Sequence, residues 1–341
     1  MEKEWISLMQ HLAPDLAEEM ARRALILERI NSLQPVGRRQ LAASLRLPER
    51  EIRNTAMLLR EMGYLAMDAS GMSLTEKAGD VLSQAVEFSR AISGITEMES
   101  RLSKLLPADD VMIARGDADQ DPAVLTDVGR LCAMKLRSML HSGDTLAVTG
   151  GRTIAAVAAQ IQAGSPLNVM VVPARGGMGR SAELQANTLA SAIATRLGGH
   201  YRLIHLPDHL DPDTMQEMQK LPEISEVTDL ISRADIILHG ISDVQEALRD
   251  PRLSRKEQVM LKDHHARGEC FGLFFDLEGR CLLRLNSVGA DPDRRKTDCS
   301  LIAAAAGTSK AEAIIAVLRH NRHRLLVTDE GAALRILSLL S

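Results

Sequence analysis

Residues 143–161, GDTLAVTGGRTIAAVAAQI, decide the fold class. The apolar run 146–148 reads as a short buried strand. Thr149, Gly150, Gly151, Arg152 and Thr153 read as a glycine loop, and a helix follows from about Ile154. Strand, glycine turn and helix in that order form the repeating unit of an α/β sheet. Glycines allow the sharp turn and let a ligand approach the backbone. Unpaired N–H groups and the helix dipole at the following helix start favour an anion such as phosphate. Thr149 and Thr153 add hydroxyls, and Arg152 adds a positive charge. Two readings stand: a cradle for a phosphorylated small molecule, or the plain strand-to-helix turn that any α/β protein needs. The loop is not a Walker A loop, which requires Gly-Lys-Ser/Thr.

Outward from this stretch the alternation continues. Residues 111–114, 167–173 (LNVMVVP), 200–206, 235–239, 271–275 and 325–327 read as strands, and 122–140, 182–197 and 311–319 as helices. Continuous apolar strands are those of a sheet covered on both faces. The fold class is therefore α/β: a mostly parallel, Rossmann-like sheet with helices on both faces. Ligands of such sheets sit beyond the carboxyl ends of the strands. That rule puts the loops 149–153, 175–179 and 239–243 on one rim.

A fourth element, GTSKAE at 307–312, follows the apolar run 301–306 and opens a helix. Ser309 is placed to cap that helix. Lys310 in its first turn opposes the dipole unless an anion is near. Arg175 beside Gly176 and Gly177 is a second cation on a loop of free amides. Two cationic cradles suit a doubly phosphorylated ligand, with Gln185 and Glu269 available for sugar hydroxyls between them. Each of these residues taken singly also reads as ordinary surface. His239 ends a strand at the rim, as a ligand contact or as a satisfied edge histidine. His264 and His265 are adjacent and do not share a helix face, so no metal is expected. No cofactor, nucleophile elbow or zinc-protease motif is expected either.

Composition sets the outer limits. The chain has 341 residues, enough for two or three domains. With 45% hydrophobic and 25% charged residues it reads as a soluble globular protein. Net charge is −4, so any DNA-binding surface must be local. Cys132, Cys270, Cys281 and Cys299 form no CxxC pair, which fits a reducing cytoplasm. The start, 1–10, is mixed and charged and does not read as a signal peptide. No apolar run is long enough for a membrane span. Only 2% of residues are aromatic, which disfavours a base-stacking platform for single strands.

In the amino-terminal third, 2–33 reads as helix in two pieces broken near Pro14, with Leu16, Met20, Leu27 and Ile30 at helical spacing. A turn at 34–37 follows, then a helix at 38–45, a turn at Arg46 and Leu47, and a longer helix at 48–62. Leu41, Leu45, Leu47, Ile52, Ala56, Leu59 and Met62 supply a small core, and two short strands flank 68–71. This is the order of a winged helix-turn-helix, whose second helix enters the major groove. Between 36 and 62 six arginines stand against three acids, a local reversal of the chain's sign that phosphate contact needs. Arg38, Arg39, Arg46, Arg50, Arg53 and Asn54 are the candidate DNA contacts. Arginine and asparagine both make paired hydrogen bonds to base edges. A solvated arginine face, or a protein-interaction module, is the alternative.

Residues 75–106 lack proline and read as one helix, with Thr75 as cap. Val81, Ala85, Phe88, Ile92, Ile95, Leu102 and Leu106 fit a coiled-coil seam of about four heptads in which Glu99 takes one position and Gly94 is a weak point. It reads as a dimer contact pairing two DNA-binding heads, or as an amphipathic helix packed on its own domain. The domains expected are 1–74, winged helix-turn-helix; 75–107, linker helix; and 108–341, sugar-phosphate sensor.

The combination GDTLAVTGGRT (143–153), VPARGG (172–177), ADIILHGI (234–241) and GTSKAEAI (307–314) resembles the sugar-binding domain of SorC/DeoR-type bacterial transcription regulators. With the helix-turn-helix and linker the resemblance covers essentially the whole chain. It implies a cytoplasmic repressor of a glycolytic operon, not an enzyme, acting as a dimer of dimers on double-stranded operator DNA. It implies fructose-1,6-bisphosphate as inducer, with other phosphosugars bound more weakly. It also implies roles: the Thr149–Thr153 loop for one phosphate, Arg175, Gly176, Gly177 and Lys310 as further phosphate contacts, and Gln185 and Glu269 for hydroxyls. Arg152 departs from the threonine that the most similar members carry, which strengthens phosphate binding or shifts selectivity. The fold also resembles sugar-phosphate isomerases and deaminases; the attached DNA-binding head separates the two readings.

Overall fold

Alanine spacing shapes the first long helix, α1 (Pro14–Leu33), in the computed structural model, which describes residues 8–9, 11–176, 181–206, 212–249, 253–285 and 288–341. The helix buries Ala17, Ala21, Ala24, Ile26, Leu27 and Ile30. Leu16 and Met20, expected on that stripe, are instead exposed at 56% and 43%. Helix spacing depends on the side chains at the contact, and small ones allow close approach. Here α4 (below) comes close enough for the Ser89 hydroxyl to donate to the Ala21 carbonyl at 3.3 Å.

The chain divides into two compact units, Met1–Met98 and Glu99–Ser341. In the first, α2 (Arg38–Leu45) ends at Arg46 in a left-handed conformation (φ 53°), and α3 (Glu49–Glu61) follows Pro48. Strands β1 (Leu65–Met67) and β2 (Met72–Leu74) pair antiparallel, Leu65 opposite Leu74. Ile30, Leu41, Ile52, Ala56, Leu59, Leu65 and Met72 form the core, with Leu45 and Leu47 partly buried against it. Met62, expected there, is 41% exposed because it lies past the end of α3. Helix, turn, longer helix and hairpin make the winged arrangement.

The long helix is two helices, α4 (Glu76–Ile92) and α5 (Ile95–Leu105). Gly94 takes φ +73°, a left-handed stop that glycine alone adopts without cost. The Ser93 hydroxyl donates back to the carbonyls of Ser89 and Arg90, each at 3.0 Å. The seam is therefore not continuous. Thr75 does not cap α4; its hydroxyl donates to the Gly63 carbonyl at 2.7 Å. Glu99 accepts from the Ile113 amide at 2.8 Å, tying α5 to the strand that follows.

The second unit runs β3 (Ala108–Ala114), α6 (Pro122–Met139), β4 (Thr145–Val148), α7 (Arg152–Gln160), β5 (Met170–Pro173), a 3₁₀ turn (Ala182–Leu184), α8 (Ala186–Leu197), β6 (His200–Tyr201), α9 (Pro212–Gln219), α10 (Pro222–Ser232), β7 (Ile236–Gly240), β8 (Ser242–Asp243), α11 (Val244–Ala247), α12 (Arg255–Asp263), β9 (Gly268–Cys270), β10 (Leu273–Phe275), β11 (Cys281–Arg284), β12 (Ser300–Ala304), a 3₁₀ turn (Thr308–Lys310), α13 (Ala311–His320), β13 (His323–Asp329) and α14 (Glu330–Leu340). Seven strands form a wholly parallel sheet in the order β3-β13-β12-β7-β4-β5-β6. One face packs Val128, Leu136, Ile154, Val157, Leu189 and Ile193 from α6, α7 and α8 against Leu146, Val148, Val171, Ile236, Leu238, Ile302 and Leu325. The alternate residues Ala147, Val172, Ile237, Ala303 and Leu326 are also buried, so the other face is covered too. That is the two-faced burial the apolar runs required.

One strand is displaced from expectation. Residues 271–275 do not join the parallel sheet. Leu273–Phe275 is an inner strand of a separate antiparallel sheet, β11-β10-β9-β8, over its own small core of Ala247, Leu253, Leu261, Ala266, Phe274 and Leu285. A short fully buried apolar run fits either sheet, and periodicity does not choose. The strand expected at 200–206 shortens to His200–Tyr201 at the sheet edge.

Candidate functional site

Every parallel strand points its carboxyl end to the same rim, and the loops after β3, β4, β5, β7 and β12 meet there. They enclose a cavity of about 640 Å³. Thr149, Gly150, Gly151, Arg152, Thr153, Arg175, Gly176, Gln185, Glu269 and Lys310 all line it. These are residues singled out from five separate stretches of sequence, brought together at one rim. Gly177, singled out with them, lies outside the described residues, as do 178–180.

The loop after β4 is built for close approach. A Cβ on Gly150 would lie 2.5 Å from the Leu184 carbonyl oxygen, so glycine is required by the backbone of 184–186. Gly151 has φ +106° and its amide donates to Leu184 O at 2.9 Å. The Gly150 requirement is thus packing within the protein, where the sequence also allowed room for a ligand. Gly151 is the N-cap of α7 and supplies no side-chain cap, so the first amides of α7 face the cavity without a side-chain acceptor. Thr149 Oγ1 accepts from Gly240 N at 3.1 Å, which leaves its O–H free to donate.

The opening of α13 at the same rim is different. The amides of Gly307, Thr308 and Ser309 donate to Asp329 (2.8 Å), Asp117 (3.1 Å) and Asp119 (2.7 Å). Ser309 does not cap α13; its hydroxyl donates to Asp119 Oδ1 at 3.1 Å. Burial acts to raise the Asp117 carboxyl, but the amides of Asp119 and Thr308 outweigh it and hold it below the usual range. At Asp329 burial wins over its three amide donors and the carboxyl is pushed up. Of these two helix starts, that of α7 has no side-chain acceptor on its amides, whereas that of α13 is held by aspartates.

Among the described residues three cations and four carboxylates line the cavity. Arg175 Nη1 donates to Glu269 Oε1 at 3.1 Å. Lys310 Nζ sits 2.7 Å from Glu246 Oε2 and 3.3 Å from Asp243 Oδ2, and Arg152 Nη2 is 3.4 Å from Glu246 Oε1. These carboxylates are the anions that the lysine beside a helix start called for. Burial acts to raise the Asp243 carboxyl, but the Glu246 amide and the Lys310 ammonium hold it low. Asp119, Asp243 and Glu246 carried no signal of this role in the sequence. Asp243 and Glu246 stand three apart, the spacing of an ordinary helix start, and the Asp243 carboxylate does cap α11 by accepting from Glu246 N at 2.9 Å.

His239 does not line the cavity. It is fully buried, its ring tilted against that of Phe271 with centroids 4.7 Å apart and its Nε2 2.9 Å from His323 Nε2. Burial pushes it down to about 4, so it is a neutral core residue at pH 7. Among the described residues no cluster of His, Cys, Asp and Glu is arranged to hold a metal.

In the first unit Arg38, Arg39, Arg46, Arg50, Arg53 and Asn54 are all exposed. Helical spacing puts Arg50, Arg53 and Asn54 on the outer face of α3, opposite the buried Ile52, Thr55, Ala56 and Leu59. Met57, 48% exposed, continues that face one turn on. Arg39 meets Glu49 only at 3.7 Å, and its side chain is 92% exposed.

Residues 90–338 match the sugar-binding domain family, and residues 20–88 match the CggR N-terminal DNA binding domain. The chain is 35% identical over 330 residues to the central glycolytic genes regulator of Priestia megaterium, covering 96% of each. It is 34% identical to the protein of that name from Bacillus subtilis, over 97% of this chain and 98% of that one. The chain belongs to the SorC-type sugar-binding transcriptional regulators. Among solved structures, a protein described as a SorC family transcriptional regulator from Enterococcus faecalis is 33% identical, with a TM-score of 0.64 over 71% of this chain and 99% of that one. The full-length sorbitol operon regulator SorC from Klebsiella pneumoniae shares the fold at 20% identity, with a TM-score of 0.65 over 96% of this chain and 98% of that one. The regulator is therefore a DNA-binding protein with a sugar-binding domain and is not a sugar-phosphate isomerase or deaminase. No described helix of this regulator is long and apolar enough to cross a membrane.

Proposed function

We propose that this regulator represses glycolytic genes in the cytoplasm and releases its operator when a phosphorylated sugar, fructose-1,6-bisphosphate before others, fills the rim cavity. One observation carries the reading: the ten described residues chosen for phosphate and hydroxyl contacts line a single cavity, beside the uncapped start of α7. One phosphate lies on Thr149, Gly150, Gly151, Arg152 and Thr153, where amides and a dipole meet it. Arg175, Gly176 and Lys310 serve the other, and Gln185 and Glu269 take sugar hydroxyls. The names of the two glycolytic relatives support the target genes.

On the DNA side, Arg50, Arg53 and Asn54 read base edges, while Arg38, Arg39 and Arg46 grip phosphates. Met57 presents apolar surface suited to thymine methyl groups. Two heads act as a pair, and pairs assemble to a tetramer. The half-buried Val81, Ala85, Phe88 and Ile92 of α4 form the pairing face. Ligand must favour the released arrangement by a few kcal/mol to act as inducer.

The test is operator affinity with and without fructose-1,6-bisphosphate. Loss of affinity with ligand is expected. Lys310→Ala and Arg175→Ala blunt that response and leave ligand-free DNA binding; Arg50→Ala and Arg53→Ala do the reverse. No response to any phosphosugar ends the proposal.

A further inference from the structure

Glu246 holds two of the three cations that the described residues bring to the cavity. Its Oε2 is 2.7 Å from Lys310 Nζ and its Oε1 is 3.4 Å from Arg152 Nη2. Lys310 is a costly place to keep a positive charge: its side chain is only 13% exposed, and it stands at a helix start. The two acids beside it are not equivalent. Asp243 is fixed, because its carboxylate caps α11 through the Glu246 amide at 2.9 Å. Glu246 is 44% exposed, and the contacts of its carboxylate among the described residues are these two cations. It is an exposed anion, with no hydrogen bond to the backbone among those of the described residues, lying on the groups assigned above to phosphate.

We propose that Glu246 is a built-in competitor: its carboxylate occupies Lys310 and Arg152 in the ligand-free protein, and a sugar phosphate binds by displacing it. The inference rests on the phosphosugar reading. The exchange conserves charge pairing at the cations, since one anion leaves as another arrives. Its consequence is a raised threshold. A phosphate gains only the difference between its own contacts and those of Glu246, so weak or singly charged anions at low concentration leave the site closed. Glu246 therefore sets the effector concentration at which the regulator responds.

Calorimetric titration of the full-length chain with fructose-1,6-bisphosphate and with inorganic phosphate tests this. Glu246→Gln and Glu246→Ala both bind each probe tighter than wild type, on the order of fivefold for a half-exposed ion pair. Glu246→Asp keeps the charge and stays within about twofold of wild type. The sign is diagnostic, because structural damage weakens binding, and thermal unfolding of each variant is recorded alongside. If wild type binds the bisphosphate and the neutral variants bind it equally or more weakly, the competitor role is wrong while the phosphosugar reading stands. If no variant and not the wild type binds either probe, that reading fails and the competitor falls with it.

Discussion

Arg175 and Glu269 form an ion pair 3.1 Å apart whose side chains are only 11% and 15% exposed. Glu269 Oε1 also accepts from Gly272 N at 2.7 Å, so the pair joins the loop after β5 to the antiparallel sheet. Removing Arg175 takes the cation away from a Glu269 carboxylate that is only 15% exposed. Arg175→Ala is expected to destabilise the second unit by about 1–3 kcal/mol in urea unfolding. Glu269→Gln keeps the shape and removes the charge, which leaves Arg175 less well held and costs less than Arg175→Ala. A change below about 0.5 kcal/mol for Arg175→Ala would show that the pair contributes nothing to the fold.

Arg50 and Arg53 differ from that pair in having no structural task in view. Both are exposed on the outer face of α3. Replacement of either by alanine is expected to weaken operator binding by about 1–3 kcal/mol without lowering thermal stability. If an arginine meets phosphate, the loss is uniform across sequences and the salt slope falls by about 1. If it reads a base, the loss falls on one position of the operator. Binding across a salt series, with single base changes, separates the two.

The two buried histidines give the second unit an acid-sensitive core. Burial lowers His239 to about 4 and His323 well below its ordinary value, with His239 adding to the latter and Arg295 also disfavouring its charge. The folded pKa values lie below the unfolded value, so between about pH 6.5 and 4 the unfolded chain binds protons that the folded chain refuses. Stability is therefore full above pH 6.5 and falls as pH drops through that window. His239 alone accounts for a loss approaching about 3 kcal/mol by pH 4. Unfolding midpoints measured from pH 7.5 to 4.5 should fall for wild type and fall less for His239→Gln. Equal slopes would remove the histidine from the account.

Gly150 and Gly151 fail differently on substitution. Alanine at 150 drives a methyl against Leu184 O at 2.5 Å. That clash pushes the Thr149 loop away from the start of α8. Alanine at 151 must adopt φ +106°, outside the range L residues accept. Each change is expected to cost more than about 1 kcal/mol and to weaken phosphosugar binding at least as much as Arg152→Ala. Unchanged ligand affinity in Gly151→Ala would remove the loop from the phosphate site.

The sequence by itself determined the local units. Apolar runs marked strands with two covered faces, the glycine loop marked the turn into α7, and reversed charge over 36–62 marked the exposed arginine face. Those features depend on neighbours along the chain, so spacing and side-chain type carry them. Tertiary structure decided the rest. Leu16 and Met20 fit a helical stripe, but the closeness of α4 selects the alanines. Residues 271–275 are apolar enough for either sheet, and only strand pairing puts them in the antiparallel one. His239 reads as a rim residue until His323, 84 positions away, meets it inside the core. Above all, Glu246 on Lys310 and the three aspartates on the second helix opening are contacts between distant loops. No local pattern encodes them, because electrostatic partners are chosen by distance in space, and the parallel sheet alone brings those loops to one rim.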